Sequence, residues 1–583
     1  MAENRREFLK MSLGAGTAGL LAGSRGRLSA ATSVPGGAEG ELLYNGIRLP
    51  AEWPPQAKFD YEPMPVPYLQ TPPEVIPVDV GRQLFVDDFL IESRSFIQRA
   101  WHRAQLLPHP VVKVDQPWEA AGPESRFGPC AAPYSDGAWY DPVDRRFKLW
   151  YSIGAYDQSW KTAYAESEDG INWVKPSLDV VPGTNIVLWE ESPDFRDSNT
   201  IWLDHEEPDP QKRYKAFNVV LKGRFELQKP YYEPRFRFRT SPDGIHWSKP
   251  LWTNAIWGDR STVFYNPFRK VWVFSLRAHS KKVGRCRCYC EEKNLAADNA
   301  LKPSAYRTWV SADRFDPRHP DPRLAHLDPQ LYSLDCTPYE SLLVGLFAIW
   351  QCNGGRGEEN PQKRNVLLTG YSRDGFHWQR PWREPLVGVT YDRWNIGNVQ
   401  SVGGGFLTVG DKLFIYYSAR GIPLRKDGLL DGSTGLATLR RDGFASMDAG
   451  ETIGTLTTRP VQFKGRHLFV NVDAVEGGLR AEVLGPDGKV IEPFSLDNCE
   501  PVKKDSTRAS VRWKGVKDLS AVSGKPVRLR FLLHDCSLYA FWISPDTSGA
   551  SYGYVAAGGP GLTGAIDTVG SGALCAIPAT LDS

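Results

Sequence analysis

The chain has 583 residues, a formal net charge of +2, 20 Trp, 54 Gly and 45 Pro, with aromatics at 12%. Its length allows two or three domains with a large core, and its composition suits a turn-rich β protein. Nothing in the charge balance favours nucleic acid or an anionic membrane as a partner.

Residues 1–30 carry a net +3, leaving −1 for the rest. Asn4-Arg-Arg-Glu-Phe-Leu-Lys10 resembles a twin-arginine export signal, followed by a Gly/Ala/Leu stretch from Met11 to Gly23 and a small-residue cleavage site at Leu28-Ser-Ala30. The apolar run is too short and too Gly-rich for a membrane span. The expected destination is the periplasm, cell surface or medium. Residues 31–80 hold ten Pro without periodicity and read as an extended leader or linker. Gly81–Ile91 then reads as a buried strand whose acids, Asp87 and Asp88, point to opposite faces.

A repeat organises the middle of the chain. Ser167-Glu-Asp-Gly-Ile-Asn-Trp173, Ser241-Pro-Asp-Gly-Ile-His-Trp247 and Ser372-Arg-Asp-Gly-Phe-His-Trp378 share Ser-x-Asp-Gly-x-x-Trp, and Arg440-Arg-Asp-Gly-Phe444 is a partial copy. Asp-Gly is turn chemistry, since Gly accepts positive φ and Asp bonds its own backbone. Trp173 and Trp247 are 74 residues apart, and Trp247 and Trp378 are 131 apart, close to two periods. The gap predicts a degenerate copy at Trp309. Such periodicity with several strands per unit predicts propeller blades with long loops. The inner strands begin near Asp136, Asp197, Asp259, Asp335 and Asn398, which makes five blades within residues 81–453.

From about Gly454 short alternating strands, such as Leu468–Val472 and Leu538–Trp542, predict a β-sandwich over 454–548. Residues 549–583 are rich in Gly, Ala and Ser and read as a loose tail. The fold class is therefore all-β: a five-bladed β-propeller followed by a β-sandwich. Of nine Cys, Cys286, Cys288 and Cys290 alternate and share one strand face. They read as core rather than ligands, because no Cys-x-x-Cys or His pair accompanies them. Cys499 and Cys536 are candidates to pair. No metal and no cofactor is expected.

Inner strands of a propeller lead into one mouth, where a charged residue costs desolvation unless it is used. Asp136, Asp197, Asp259 and Asp335 lead their strands, Glu340 lies further in, and Asp87 or Asp88 precedes blade one. Carboxylates in a funnel suit glycosidic bond cleavage: one protonates the leaving oxygen, and another attacks or activates water. Arg196 and Arg260 flank the acids as ion-pair or substrate-binding partners. Trp394, Asn398 and Gln400 start blade five and are candidates to stack on a sugar or bind its hydroxyls.

On these residues the chain resembles the five-bladed propeller glycosidases of glycoside hydrolase families 32 and 43, distantly and over about 126–450. Phe195-Arg-Asp-Ser198 resembles their Arg-Asp-Pro motif, implying that Asp197 stabilises the transition state. Trp257-Gly-Asp259 sits where the acid motif is placed, implying Asp259 as the acid, with Tyr339-Glu-Ser341 as an alternative. The family-32 nucleophile motif is absent; Ala131–Asp136 stands there, while Val86–Ile91 resembles the Ala-Asp-Pro segment of family 43 and would make Asp87 the base. The expected function is an exported glycoside hydrolase that releases a terminal sugar, furanosides included, from an oligo- or polysaccharide. The alternatives are a non-catalytic glycan-binding propeller, a sialidase-like propeller, and a glycoside phosphorylase, which would need a phosphate pocket.

Overall fold

A computed structural model describes residues 40–576 except 121–127, 155–159, 192–193, 223–233, 296–300, 352–362, 391–393 and 425–429. The export-signal segment lies outside the described residues.

Five antiparallel sheets form the propeller, each written here from the axis outward. Blade one is Ala132–Asp141, Arg146–Ile153, Lys161–Ser167 and Ile186–Leu188, and blade two is Asp194–Leu203, Tyr214–Lys222, Pro234–Ser241 and Trp252–Ala255. Blade three is Thr262–Asn266, Val271–Ser280, Gly284–Glu292 and Arg307–Ser311, and blade four is Gln330–Glu340, Leu342–Trp350 and Asn365–Ser372. Blade five is Gly397–Gln400, Lys412–Leu424 and Leu430–Arg440, and its outermost strand, Gln105–Leu106, comes from the N-terminal side. The ring is thereby closed by strands from opposite ends of the propeller sequence.

The repeated turns join neighbouring blades. Asp169 Oδ1 accepts the Ile171 and Asn172 N–H groups at 2.8 Å each, and Asp243 and Asp374 do the same in their own turns. Each blade then sends a side-chain donor into the next blade's turn region. Tyr416 donates to Gly170 O, Trp150 to Gly244 O, Trp252 to Leu295 O, Trp309 to Phe376 O, and Tyr339 to Asp442 Oδ1, at 2.6–2.7 Å. Glycine is required here for two reasons. Gly244 has φ +80°, and a Cβ on it would sit 2.3 Å from the Trp150 ring.

This ring also corrects the position of the blurred copy. Trp309 lies on the fourth strand of blade three, and not in the turn that directly follows its third strand. The turn there is Glu292-Lys-Asn-Leu295, without Asp-Gly. Trp309 and Trp378 pack together at 6.0 Å across the blade three–four seam.

The sandwich draws on both sides of the propeller. One sheet holds Gln83–Leu84, Gln98–Trp101, Ala445–Ala449, Cys536–Ser544, His467–Asp473 and Asp505–Ser510. The other holds Ile91–Ser95, Gly454–Thr458, Arg528–His534 and Gly478–Leu484. Phe541 meets Phe85 and Phe531 between the sheets, at 5.8 and 5.5 Å. Residues 83–101 therefore belong to the sandwich, contrary to the 81–453 propeller boundary. Their apolar pattern is a strand pattern, but it carries no information about the distant partners Thr458 and Phe541. The leader crosses from the sandwich, where Ile76–Pro77 pairs with Val461–Gln462, to blade three, where Ala57 N–H donates to Thr308 O.

The described part of the tail, residues 549–576, is not loose. Tyr554–Val555 pairs with Tyr339 and Glu340 at the far end of blade four. Ala556 N–H donates to Pro338 O, Ala557 N–H to Phe406 O, and Ala557 O accepts from Tyr140 N–H. The tail thus closes the axis against blades four, five and one, with Val555 and Ala557 fully buried. Small residues are what an axis between packed strands admits, and in sequence the same residues resemble a flexible linker. Cys286, Cys288 and Cys290 are buried, and Cys499 and Cys536 are both free thiols. Among the described residues no helix is long and apolar enough to cross a membrane.

Candidate active site

At the opposite end of the axis the inner strands break register at one level. The breaks fall between Ala132 and Gly137, Arg196 and Asn199, Leu331 and Ser333, and Gly397 and Gln400. In blade three, Arg260 takes φ +52° just before its strand, and Tyr134, Ser135 and Asn398 also have positive φ. A bulge turns side chains out of their alternation and toward the axis, and left-handed backbone at non-glycine positions concentrates at sites that need it.

Three predicted acids meet there, interleaved with the two predicted arginines. Arg196 grips Asp136 with two bonds of 2.6 and 2.9 Å, and also donates to Thr162 Oγ1 at 2.7 Å and to the Asp197 carbonyl. Asp197 Oδ1 accepts the Arg260 backbone N–H at 3.3 Å and lies 3.6 Å from Arg260 Nε. Asp259 accepts from Arg277 Nη1 at 2.6 Å. Asp136 and Asp197 are buried, whereas Asp259 is partly exposed. Below them, Asp335 accepts from Ser135 Oγ at 2.9 Å and Ser401 Oγ at 2.5 Å, tying blades one, four and five across the axis.

Environment separates the three carboxyls. Burial raises Asp136 to about 6, with Arg196 pulling the other way. Burial also raises Asp197, against Arg260. At Asp259 burial is outweighed by Arg277, Arg285, Arg260 and Lys363, which hold its carboxyl below the usual range. Neighbouring carboxyls pushed in opposite directions are the pattern of acid–base sites.

Two predicted acids lie elsewhere. Asp87 is buried in an ion pair with Arg373, 2.9 Å from its Nε, and caps the Phe89 N–H. Glu340 is at the far end of its strand, paired with Arg441 at 3.1 Å and accepting from Ser551 Oγ at 2.7 Å and the Arg82 N–H at 3.1 Å. Arg82 and Arg441 extend this network to Asp442 and Asp567. It joins propeller, sandwich and tail, and its buried charges are paired with one another. Glu340→Gln is expected to cost about 3 kcal/mol of stability, because removing one partner leaves buried charge uncompensated. Turnover per folded molecule should not change; denaturant unfolding alongside an active-site-titrated assay separates the two.

In blade five, Trp394 is buried and stacked on Tyr417 at 5.6 Å, so it fills core rather than offering a sugar platform. Asn398 Oδ1 accepts from Asn365 at 3.2 Å and Gln400 at 3.0 Å, and all three are buried.

Sequence reasoning missed a cationic wall on blades three and four. The pairing Arg277↔Arg287 and His279↔Arg285 sets basic side chains opposite one another. Arg285 lies 4.8 Å over the Tyr332 ring and 4.9 Å over Trp350, and Lys363 donates to Tyr332 OH at 3.3 Å. Burial would raise the Tyr332 phenol, but Lys363, Arg260 and Arg285 bring it down to about 7. The available signal was Arg285-Cys-Arg-Cys-Tyr-Cys290: one face of that strand is cysteine, and the other is arginine and tyrosine.

No family model and no curated protein matches the chain. Among solved structures it is similar to an N-acetylgalactosamine deacetylase from F. plautii, 14% identical over 63% of this chain and 97% of that one, with a TM-score of 0.37. A family 32 β-fructofuranosidase from Bombyx mori is 12% identical over 75% and 94%, with a TM-score of 0.34. An endo-arabinase from Bacteroides thetaiotaomicron is 10% identical over 54% and 97%, with a TM-score of 0.31. At that distance the likenesses decide no chemistry, and the architecture rests on the strand pairing of this chain.

Proposed function

We propose that the protein is an exported glycoside hydrolase that removes a terminal sugar from a glycan at the bulged end of the propeller axis. The observation that carries the reading is the Asp197–Arg260–Asp259 constellation, in which Asp197 Oδ1 accepts the Arg260 backbone N–H at 3.3 Å and Asp259 accepts from Arg277 Nη1 at 2.6 Å, with burial raising the first carboxyl and cations lowering the second. Asp197 is assigned as the acid that protonates the leaving oxygen. Asp259 is assigned as the carboxylate that attacks the anomeric carbon or takes a proton from water. This reverses the roles implied by motif resemblance, because the electrostatics favour the neutral form at Asp197 and the charged form at Asp259. Asp136 is fully committed to Arg196 and acts by positioning it. Export is supported by the twin-arginine segment alone.

The test is release of reducing sugar from a panel of terminally α- and β-linked oligosaccharides, compared between native protein and Asp259→Asn. Release by the native protein, and a loss of about 10³-fold in the variant at unchanged Tm, is the expected result. Equal rates in the two proteins would remove Asp259 from the chemistry.

A further inference from the structure

The cationic wall is more than the acid–base pair needs. Arg277, Arg285 and Arg287 project from one face of the blade three hairpin, since Arg277 and Arg287 are register partners and Arg285 is two residues from Arg287. Like charges placed directly opposite are destabilising. Arg287 is fully buried, donates through Nη1 to Arg260 O at 2.6 Å and through Nη2 to Tyr332 O, and its Nε has no hydrogen-bond partner among the described residues. Burial, with Arg277 and Arg285 adding to it, pushes its guanidinium down to about 9.

Lys363 faces them from blade four and stands 5.5 Å from the Tyr332 ring. With Arg260 the described residues place five cations beside three carboxyls, Asp197, Asp259 and Asp335, and the last is already bonded by Ser135 and Ser401. Arg277, Arg285 and Lys363 are only partly buried, so the wall is reachable from solvent. The Trp350 ring beneath Arg285 is also buried with an unpartnered Nε1 among the described residues. Repulsion of this kind is relieved when an anion arrives, so holding the cations together favours a ligand that brings one.

We propose that the glycan taken by this site carries an anionic group, a uronate carboxylate or a sulfate ester, and that Arg277, Arg285 and Lys363 form its subsite on the blade three–four side of the funnel. This rests on the glycosidase reading for the placement of the sugar. Arg285 is the residue to change: it is partly exposed, and its side chain rests on rings.

Binding is measured by titration calorimetry on the full chain carrying Asp197→Asn, so that nothing is turned over. The probes are oligogalacturonate, a sulfated galactan oligosaccharide and a neutral galactan oligosaccharide of equal length. At least one anionic series is expected to bind about 10-fold or more tightly than the neutral one, with affinity falling as salt is raised. Arg285→Gln is expected to remove that advantage and Arg285→Lys to restore part of it, while Tm stays within a few degrees. The arm that binds distinguishes carboxylate from sulfate.

Neutral and anionic oligosaccharides binding equally, no binding by either anionic series, or anionic binding indifferent to Arg285→Gln would each overturn the proposal. So would cleavage of neutral glycans that depends on added phosphate, which would make the wall a phosphate pocket. Hydrolysis by the native protein is scored separately. Anionic binding without hydrolysis defeats the glycosidase reading and leaves the subsite standing, and hydrolysis of neutral glycans without anionic binding does the reverse.

Discussion

Asp197→Asn is expected to lower kcat by about 10³-fold on a glycan substrate, within the range by which a positioned acid accelerates proton transfer. The loss should be much smaller on an aryl glycoside with a good leaving group, because that oxygen departs without being protonated. The pH profile gives a second readout. Asp197 is raised by burial, so under the proposed roles activity should fall as pH rises through a value above the ordinary aspartate range. Asp259 is lowered, so its ionisation sets the acid limb below the ordinary range. The variant should keep the acid limb and lose the alkaline one.

Stability moves the same way with pH. A group whose folded pKa is raised contributes stability at pH below its unfolded value, and that contribution is lost as pH rises through the folded value. That loss sets in above the ordinary aspartate range, so the unfolding temperature of the native protein should fall with rising pH relative to Asp197→Asn, whose amide does not titrate. An unchanged kcat on the glycan, or an equal loss on both substrates, would rule out the acid role.

Deletion of residues 549–583 is expected to destabilise the protein by at least about 4 kcal/mol. It removes Asp567 from its 3.0 Å pair with Arg441, and removing one partner of a buried pair costs about 3–5 kcal/mol. It also uncovers the far end of the axis, where Val555 and Ala557 are buried and bonds to blades four, five and one are made. Gly559→Ala is a single-residue version, since a Cβ there would fall 1.6 Å from Thr408 O. Both should shift urea unfolding to lower concentration. If neither does, the tail does not hold the ring closed.

The site was partly legible because a propeller turns linear order into radial position. Once the repeat marked where inner strands begin, Asp136, Asp197, Asp259, Arg196 and Arg260 could be named from the sequence, and they converge. Glu340 and Asp87 failed for a shared reason. A buried acid reads the same in sequence whether it serves a site or an ion pair, and Arg82, Arg441 and Arg373 lie too far along the chain to be recognised as partners. Trp394 failed because an aromatic at a strand start is equally suited to core. The arginine wall was missed because each Arg alone looks like an ordinary strand residue. It becomes unusual only when hairpin register sets Arg277 against Arg287.

The repeating strand, the Asp-Gly turn, the number of blades and the all-β class were readable from the chain alone. They follow from local backbone preference and period, which act over a few residues. Three other outcomes needed the folded chain: that residues 83–101 complete the sandwich, that the Gly-rich tail closes the axis, and which acids share a field with which arginines. These depend on distance in space. The charge felt at Asp259 comes from Arg277 on the same blade and from Lys363 on the next, and Asp197 on blade two is balanced by Arg260 at the start of blade three.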